Sequence, residues 1–178
     1  MKISNIKLNF KLKTYTMFLV LISIYGCRTD SDMCLKLEKD QNELINNLKM
    51  YENVWDKVIN GRQIEMINSD FFDNEIVAVA TSNGDISGLD NFKSYYNNYL
   101  VGFSDAKFTI IDVFGQGDKI VKHWNFKGTH DGVFFGVPAT GKKVDISGVT
   151  LVKMKDGKIA SEQDFMDFLD FYKQLGLM

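Results

Sequence analysis

A tight turn between two strand-like runs is the feature that most constrains the fold. Asp156-Gly157 is the dipeptide favoured at the centre of a two-residue hairpin, because both central residues need a positive φ angle. Residues 143–153 before it carry closely spaced apolar side chains, and Lys158 begins the run after it. Since such a turn joins antiparallel neighbours, the sequence predicts an antiparallel sheet in the last third of the chain.

Further strands are predicted upstream of the hairpin. Residues 119–127 mix apolar and polar side chains at strand spacing, and residues 107–114 alternate well enough to pair with them. Residues 75–81 are rich in β-branched side chains and end at a turn. Within 143–153 the alternation slips by one residue at Gly148, which predicts a β-bulge and a bent sheet.

Apolar residues at helical spacing predict helices on either side of the strands. The first covers residues 40–61, a second short one covers 62–72, and a third covers 89–100. The third carries a stripe of four aromatic residues, which fits either the core or the wall of a pocket. A last short amphipathic helix is predicted over 165–176, where a glycine ends it.

Five short motifs follow one another in the second half of the chain. They are Gly128–Gly132 (GTHDG), Phe135–Lys142 (FGVPATGK), Asp156–Ile159 (DGKI), Asp167 and Gln174–Gly176 (QLG). In this combination the chain resembles the SnoaL-like polyketide and ester cyclases of the NTF2-like superfamily, over roughly residues 45–178. The resemblance implies an α+β cone: a strongly curved antiparallel sheet around an apolar pocket, N-terminal helices that cover the pocket, and a short C-terminal helix.

The resemblance also implies a catalytic carboxylate. Asp167 aligns with the aspartate that these cyclases use as acid and base. It shares a strand face with Gln163 and Phe165 if the last strand runs through Met166, and lies opposite the apolar stripe if the helix has begun. His123 is either a titratable pocket group or an outward-facing strand residue. The predicted pocket lining is Trp55, Tyr96, Trp124, Phe126, Phe135, Gln163 and Phe165.

Two departures from the family pattern weigh on function. Gln163 stands where relatives often have tryptophan, and residues 75–81 lack a histidine that the cyclases tend to carry there. We therefore expect the protein to bind a small hydrophobic molecule in the cone without turnover. The alternative is an ester cyclase or isomerase that uses Asp167 as general acid and base on a carbonyl substrate. A third reading is a homodimer formed through the outer face of the sheet.

Other classes of site are disfavoured. Residues 136–142 match a phosphate-binding loop except at its last position, but a strand pattern follows instead of the helix that such a loop needs. The two histidines, His123 and His130, are not accompanied by a cysteine pair, so we expect no metal and no cofactor. Cys34 is left without a disulfide partner if Cys27 is modified.

The N-terminus has the form of an export signal. Residues 1–26 carry four lysines and no acidic residue, and they end in an uncharged run before Cys27, as in a bacterial lipobox. We expect a lipidated Cys27, a tether over 27–39 and a domain over 40–178, anchored in the bacterial cell envelope at the outer membrane. Losing residues 1–26 removes four of 21 basic and none of 23 acidic residues. The remaining net charge of −6 argues against nucleic acid as a partner.

Overall fold

The computed structural model of the chain describes residues 4–81 and 84–178, with the backbone alone for residues 4–30, 80 and 81. Within these residues there are three α-helices, one 3₁₀ turn and six strands. In chain order they are α1 (Ser4–Ile59), the 3₁₀ turn (Ile64–Met66), β1 (Phe72–Thr81), β2 (Gly84–Ser87), α2 (Leu89–Gly102), β3 (Lys107–Gln116), β4 (Lys119–Thr129), β5 (Lys143–Lys155), β6 (Lys158–Met166) and α3 (Phe168–Leu175).

The chain divides into two compact units within helix α1. Residues up to Asn42 form one unit, and Glu43–Met178 form the other. Residues 27–39, predicted to be a tether, are helical, and the side chains of residues 31–42 are exposed.

The predicted modification site lies outside the described side chains. The side chain of Cys27 is not described, so its lipidation and the signal peptide over 1–26 stay predictions. Among the described residues, no helix carries an apolar stretch long enough to cross a membrane.

The larger unit is built on one curved, unclosed sheet with strand order β2-β1-β6-β5-β4-β3. Four of its pairings are antiparallel, and the β1–β6 pairing is parallel. The inner face packs against α2 and the last part of α1, and this contact holds the core. The α+β cone predicted from the resemblance is confirmed.

The predicted hairpin turn is present between β5 and β6. Asp156 and Gly157 have φ angles of 51° and 75°, and Lys155 pairs directly with Lys158. A second tight turn joins β3 to β4, where Gln116 pairs with Lys119. The pairing predicted between residues 107–114 and 119–127 is therefore also observed.

Three local predictions were wrong. No α-helix covers 62–72: a 3₁₀ turn of three residues is followed by a turn in which the Asn68 carbonyl accepts from the amide of Phe72, and β1 begins there. The last helix begins at Phe168 rather than 165, because Asp167 caps it. No bulge occurs at Gly148, where β5 keeps one register with both neighbours.

The irregularity lies in β6 instead. Lys153 pairs with Ser161, but Met154 pairs with Ile159, so Ala160 is an extra residue on β6. An extra residue turns every later side chain to the opposite face of the sheet. Ile159 and Glu162 are consequently both buried, although an uninterrupted strand would place them on opposite faces.

Gly148 has a packing role. Trp124 lies opposite it on β4, and a Cβ atom on Gly148 would come within 2.4 Å of the indole ring and 2.7 Å of the Phe165 carbonyl oxygen. The indole of Trp124 fits on the inner face of the sheet because Gly148 has no side chain.

We predict that Gly148→Ala destabilises the larger unit by about 1–3 kcal/mol, because the indole must move and overpacked sites cost energy of that order. Urea unfolding of the wild type and the variant measures the difference. Lys153→Ala, an exposed change on the same strand, is the matched control. Equal unfolding free energies for Gly148→Ala and wild type would contradict this packing role.

Candidate functional site

A pocket opens on the inner face of the sheet, and parts of all three helices and four strands line it. Its cavity of about 60 Å³ has room for a few water molecules or part of a small ligand. The wall is mainly aromatic, and the charged residues among its lining are Lys122 and Asp164. Prominent in the wall are Trp55, Tyr95, Tyr96, Tyr99, Trp124 and Phe126.

A buried carboxylate lies behind this wall. Glu162 is only 2% exposed. Its Oε1 accepts hydrogen bonds from the Tyr51 hydroxyl at 2.7 Å and the Trp55 indole at 2.9 Å. Its Oε2 accepts one from the Tyr96 hydroxyl at 3.1 Å. Helices α1 and α2 therefore both donate to one side chain of β6.

The surroundings of Glu162 alter its acidity. Burial raises the pKa of its carboxyl group, and the positive charge of Lys122 only partly offsets this effect. Burial also raises the pKa of Tyr51 and of Tyr96 well above the usual value. Both phenols therefore stay protonated and act as donors at neutral pH.

Asp164 is the carboxylate that lines the pocket itself. Its Oδ1 accepts from the Thr150 hydroxyl at 2.5 Å, and that hydroxyl accepts from the Trp124 indole at 2.9 Å. Its Oδ2 lies 3.2 Å from the Tyr96 hydroxyl, which also contacts Glu162. The two carboxylates are thus linked through one phenol.

Lys122 is the lysine among the residues that line the pocket. It is 3% exposed, and its Nζ lies over the rings of Trp55 at 4.8 Å, Tyr51 at 5.0 Å and Phe108 at 5.0 Å. Among the described residues, Nζ has no hydrogen-bond partner and no carboxylate within 4.0 Å. Burial lowers the pKa of this ammonium group, and the charge of Glu162 opposes the shift.

Comparison with known proteins identifies the fold and the family. A family model for SnoaL-like polyketide cyclases matches residues 46–175. The chain belongs to the SnoaL-like polyketide cyclase family. All the residues that line the pocket lie within the matched range.

Solved structures resemble this SnoaL-like protein closely in fold. A protein from Jannaschia sp. CCS1, assigned to the SnoaL-like polyketide cyclases, has a TM-score of 0.69 and 21% identity, over 76% of this chain and 94% of that chain. TsrD from Streptomyces laurentii has a TM-score of 0.66 and 20% identity, over 74% and 96%. Identities this low show the shared fold alone.

Curated relatives match a shorter stretch. The aklanonic acid methyl ester cyclases DnrD of Streptomyces peucetius and DauD of Streptomyces sp. strain C5 are each 41% identical over 49 residues, or 28% of this chain. The chain spans only about a third of their length, 34% and 30% respectively.

The predicted pocket residues divide into two groups in this SnoaL-like protein. Trp55, Tyr96, Trp124 and Phe126 line the pocket. Phe135, Gln163 and Phe165 are not among its lining residues. Phe135 contacts the rings of Tyr95, Tyr99 and Phe134 and is partly exposed. Gln163 and Phe165 lie on the outer face because Ala160 shifts the alternation of β6.

The predicted catalytic residues lie away from the pocket wall. Asp167 is exposed, and its carboxylate accepts from the Asp170 amide at 2.9 Å as the N-cap of α3. His123 alternates on β4 with Lys122 and Trp124, which both face the pocket, so its own side chain is on the opposite face. Neither residue lines the pocket, and their catalytic roles stay untested predictions.

Several residues of the family motifs hold the fold together. Asp131 accepts from the amide and hydroxyl of Ser104, next to the end of α2. His130 is fully buried, and its Nδ1 lies 3.0 Å from the Thr140 hydroxyl in the loop that follows. Gln174 clamps α3 to β5 by bonding both the amide and the carbonyl of Asp145.

The sequence reading missed Lys122, Glu162 and Asp164. A signal for Lys122 was present, because it alternates with Ile120 and Trp124 on the apolar face of β4. No equivalent signal marked the two carboxylates, because their inward orientation depends on the extra residue in β6. Among the described residues, no cluster of three or more potential metal-ligating side chains occurs.

The outer face of the sheet carries exposed apolar side chains. Phe114, Leu151 and Phe165 are each about half exposed. Phe114 and Leu151 are close because both pair with Val121, which lies between them on β4. Phe165 pairs with Val149 on β5, two residues before Leu151, so it is close to Leu151 as well. The predicted homodimer through this face stays a prediction.

We predict that Glu162→Gln removes a pH-dependent loss of stability. The folded protein binds a proton at Glu162 more tightly than the unfolded chain does. The free energy of unfolding of the wild type therefore falls as the pH rises above about 4.5, and it stops falling once the pH has passed the raised pKa of Glu162. Each unit of pKa shift corresponds to about 1.4 kcal/mol. Urea unfolding across this range should show the variant gaining stability relative to wild type as pH rises.

Glu52→Gln, an exposed carboxyl on α1, is the matched control for this experiment. A stability difference between Glu162→Gln and wild type that stays constant over the whole pH range would contradict the raised pKa.

Proposed function

We propose that this SnoaL-like protein is an enzyme that moves a proton on a small, mainly apolar carbonyl compound, with Asp164 as its acid–base group. One observation carries the proposal: a carboxylate held by two hydroxyl groups lies in the wall of an aromatic pocket. Asp164 takes the role that the sequence reading gave to Asp167. Isomerisation and ring closure both fit this chemistry.

Ring closure by aldol attack requires removal of a proton from the carbon next to a carbonyl group, and protonation of the oxygen that forms. A carboxylate in an apolar pocket can do both. Thr150 and Tyr96 each contact a different oxygen of Asp164, which fixes the plane of the carboxylate. A fixed orientation supports catalysis because little reorganisation is needed when the proton moves.

The groups around Asp164 suit the charge that develops on the substrate oxygen. The Lys122 ammonium is a positive charge in a site of low dielectric, and the neutral Tyr96 hydroxyl adds no negative charge beside it. Glu162 behind them is a weak acid because burial raises its pKa, and it connects to Asp164 through Tyr96. When Asp164 takes a proton from the substrate, Tyr96 therefore links it by hydrogen bonds to a second carboxyl group, that of Glu162.

The comparisons add support for a carbonyl substrate. The two curated relatives from Streptomyces are named as cyclases of aklanonic acid methyl ester. The cavity of about 60 Å³ favours a substrate, or a reacting part of one, of only a few non-hydrogen atoms. Ligand binding without turnover is the competing function, and the aromatic wall alone would serve it.

We predict that Asp164→Asn slows hydrogen–deuterium exchange at the α-carbon of cyclohexanone by roughly 100-fold or more, because general-base catalysis contributes at least that much. Proton NMR of cyclohexanone in D₂O measures the exchange that the full-length protein catalyses. Cyclohexanone is chosen as a small apolar ketone that exchanges slowly by itself at neutral pH.

Asp167→Asn is the matched control, because asparagine caps a helix as well as aspartate does and removes the same charge three residues away. It should leave the exchange rate within roughly twofold of wild type. Loss of exchange in Asp167→Asn but not in Asp164→Asn would return the catalytic role to Asp167. Saturable binding of cyclohexanone without any catalysed exchange would favour the binding function.

We also infer that the protein acts at the bacterial cell envelope through a lipid on Cys27. Support comes from the four lysines, the uncharged run and the small residue before Cys27. In a bacterial host grown with labelled palmitate, the wild type should take up the label and Cys27→Ser should not; Cys34→Ser, at an exposed cysteine, is the control. Labelling of Cys27→Ser at the level of the wild type would rule out this anchor.

A further inference from the structure

The side chain of Lys122 can act as a neutral amine as well as a positive charge. Its Nζ lies beside the cavity, among three aromatic rings, and without a hydrogen bond or ion pair in the described part of the chain. A lysine paired with a carboxylate would be held as ammonium. The nearest acidic groups, Glu162 and Asp164, both bond to Tyr96 instead.

We propose that Lys122 is a nucleophile, whose amine condenses with a small aldehyde or ketone in the pocket to form an iminium (a protonated Schiff base). This inference rests on the proposed function, and it adds a covalent intermediate and a substrate class: an unhindered carbonyl compound. Desolvation in an apolar pocket is one of the ways in which proteins activate a lysine amine.

The step balances without any further reactant. The amine lone pair attacks the carbonyl carbon, a C–N bond forms, and the carbonyl electron pair moves to oxygen, which is protonated. The nitrogen loses a proton, the C–O bond then breaks with loss of water, and the nitrogen lone pair forms the C=N bond. The sum is one amine, one carbonyl and one proton giving one iminium and one water.

The surroundings of Nζ favour both the neutral amine that attacks and the cationic iminium that forms. Trp55 and Tyr51 from α1 and Phe108 from β3 face the nitrogen with ring surfaces, which favour a cation. The iminium keeps the positive charge at the same place, so the rings and the two carboxylates of β6 still compensate it. The neutral amine that must attack is favoured by burial, which lowers the pKa of the ammonium group.

The covalent intermediate also strengthens the role of Asp164. An iminium withdraws electrons from its neighbouring carbon more strongly than a carbonyl does, so the proton on that carbon becomes more acidic. Asp164 and Lys122 line the same cavity. Attachment to Lys122 would hold this carbon next to the carboxylate.

The first experiment traps the intermediate. The full-length protein is incubated with cyclohexanone and sodium cyanoborohydride at neutral pH, and each lysine is followed by peptide mass spectrometry. We expect Lys122 to gain a cyclohexyl group about tenfold or more faster than exposed Lys153, as an activated amine does. Labelling of Lys122 no faster than Lys153 would overturn the proposal.

The second experiment separates a nucleophile from a charge. Lys122→Arg keeps the positive charge but cannot form an iminium, and Lys122→Met keeps the length of the side chain without either property. Circular dichroism checks that each variant folds. We expect both variants to lose catalysed exchange on cyclohexanone; full exchange in Lys122→Arg would overturn the nucleophilic role. If neither variant folds, the labelling ratio of the wild type decides.

The two proposals fail in different ways. Asp164→Asn should still be trapped at Lys122 but should exchange slowly, because bond formation to the amine precedes proton removal. Unchanged exchange in Asp164→Asn together with trapping at Lys122 would remove the role of Asp164 and keep the iminium. Normal exchange in Lys122→Arg without trapping in wild type would keep the role of Asp164 and remove the iminium.

Discussion

The buried carboxylate of Glu162 is the interaction on which the site depends. Its two oxygens accept from donors on α1 and α2, so one side chain of the sheet fixes both helices over the pocket. A buried carboxylate without partners would cost several kcal/mol, whereas one with three donors can be retained. Satisfying this one group therefore helps to position two residues of the pocket wall, Trp55 and Tyr96.

The polar groups of the pocket form a chain rather than separate pairs. The indole of Trp124 donates to Thr150, Thr150 donates to Asp164, and the hydroxyl of Tyr96 lies between Asp164 and Glu162. Trp124 can occupy its place only because Gly148 has no side chain. A packing detail of β5 thus orients the carboxylate to which we assign the chemistry, and Lys122 completes the pocket with an amine surrounded by rings.

Much of the fold could be predicted from local pattern. Asp156-Gly157 predicted a hairpin, the alternation of residues 119–127 predicted a strand, and the aromatic spacing after Gly88 predicted a helix. All three are present. The family motifs pointed to the correct cone, although several of their residues tie loops and α3 in place. The helix over 62–72 was wrong, because a short apolar spacing does not distinguish a helix from a turn entering a strand.

The sequence by itself determined the hairpin, most of the strands and the aromatic helix, because these depend on turn residues and on periodic burial that neighbours along the chain specify. The cone followed from the resemblance of the motifs to a known family. Only the tertiary structure decided which acidic residues face inward. An extra residue at Ala160 turns Glu162 and Asp164 to the inner face of the sheet and Gln163 and Phe165 to the outer face. The pairing of β6 with β5 sets that bulge, and strand pairing across the sheet leaves no trace in the local pattern of β6.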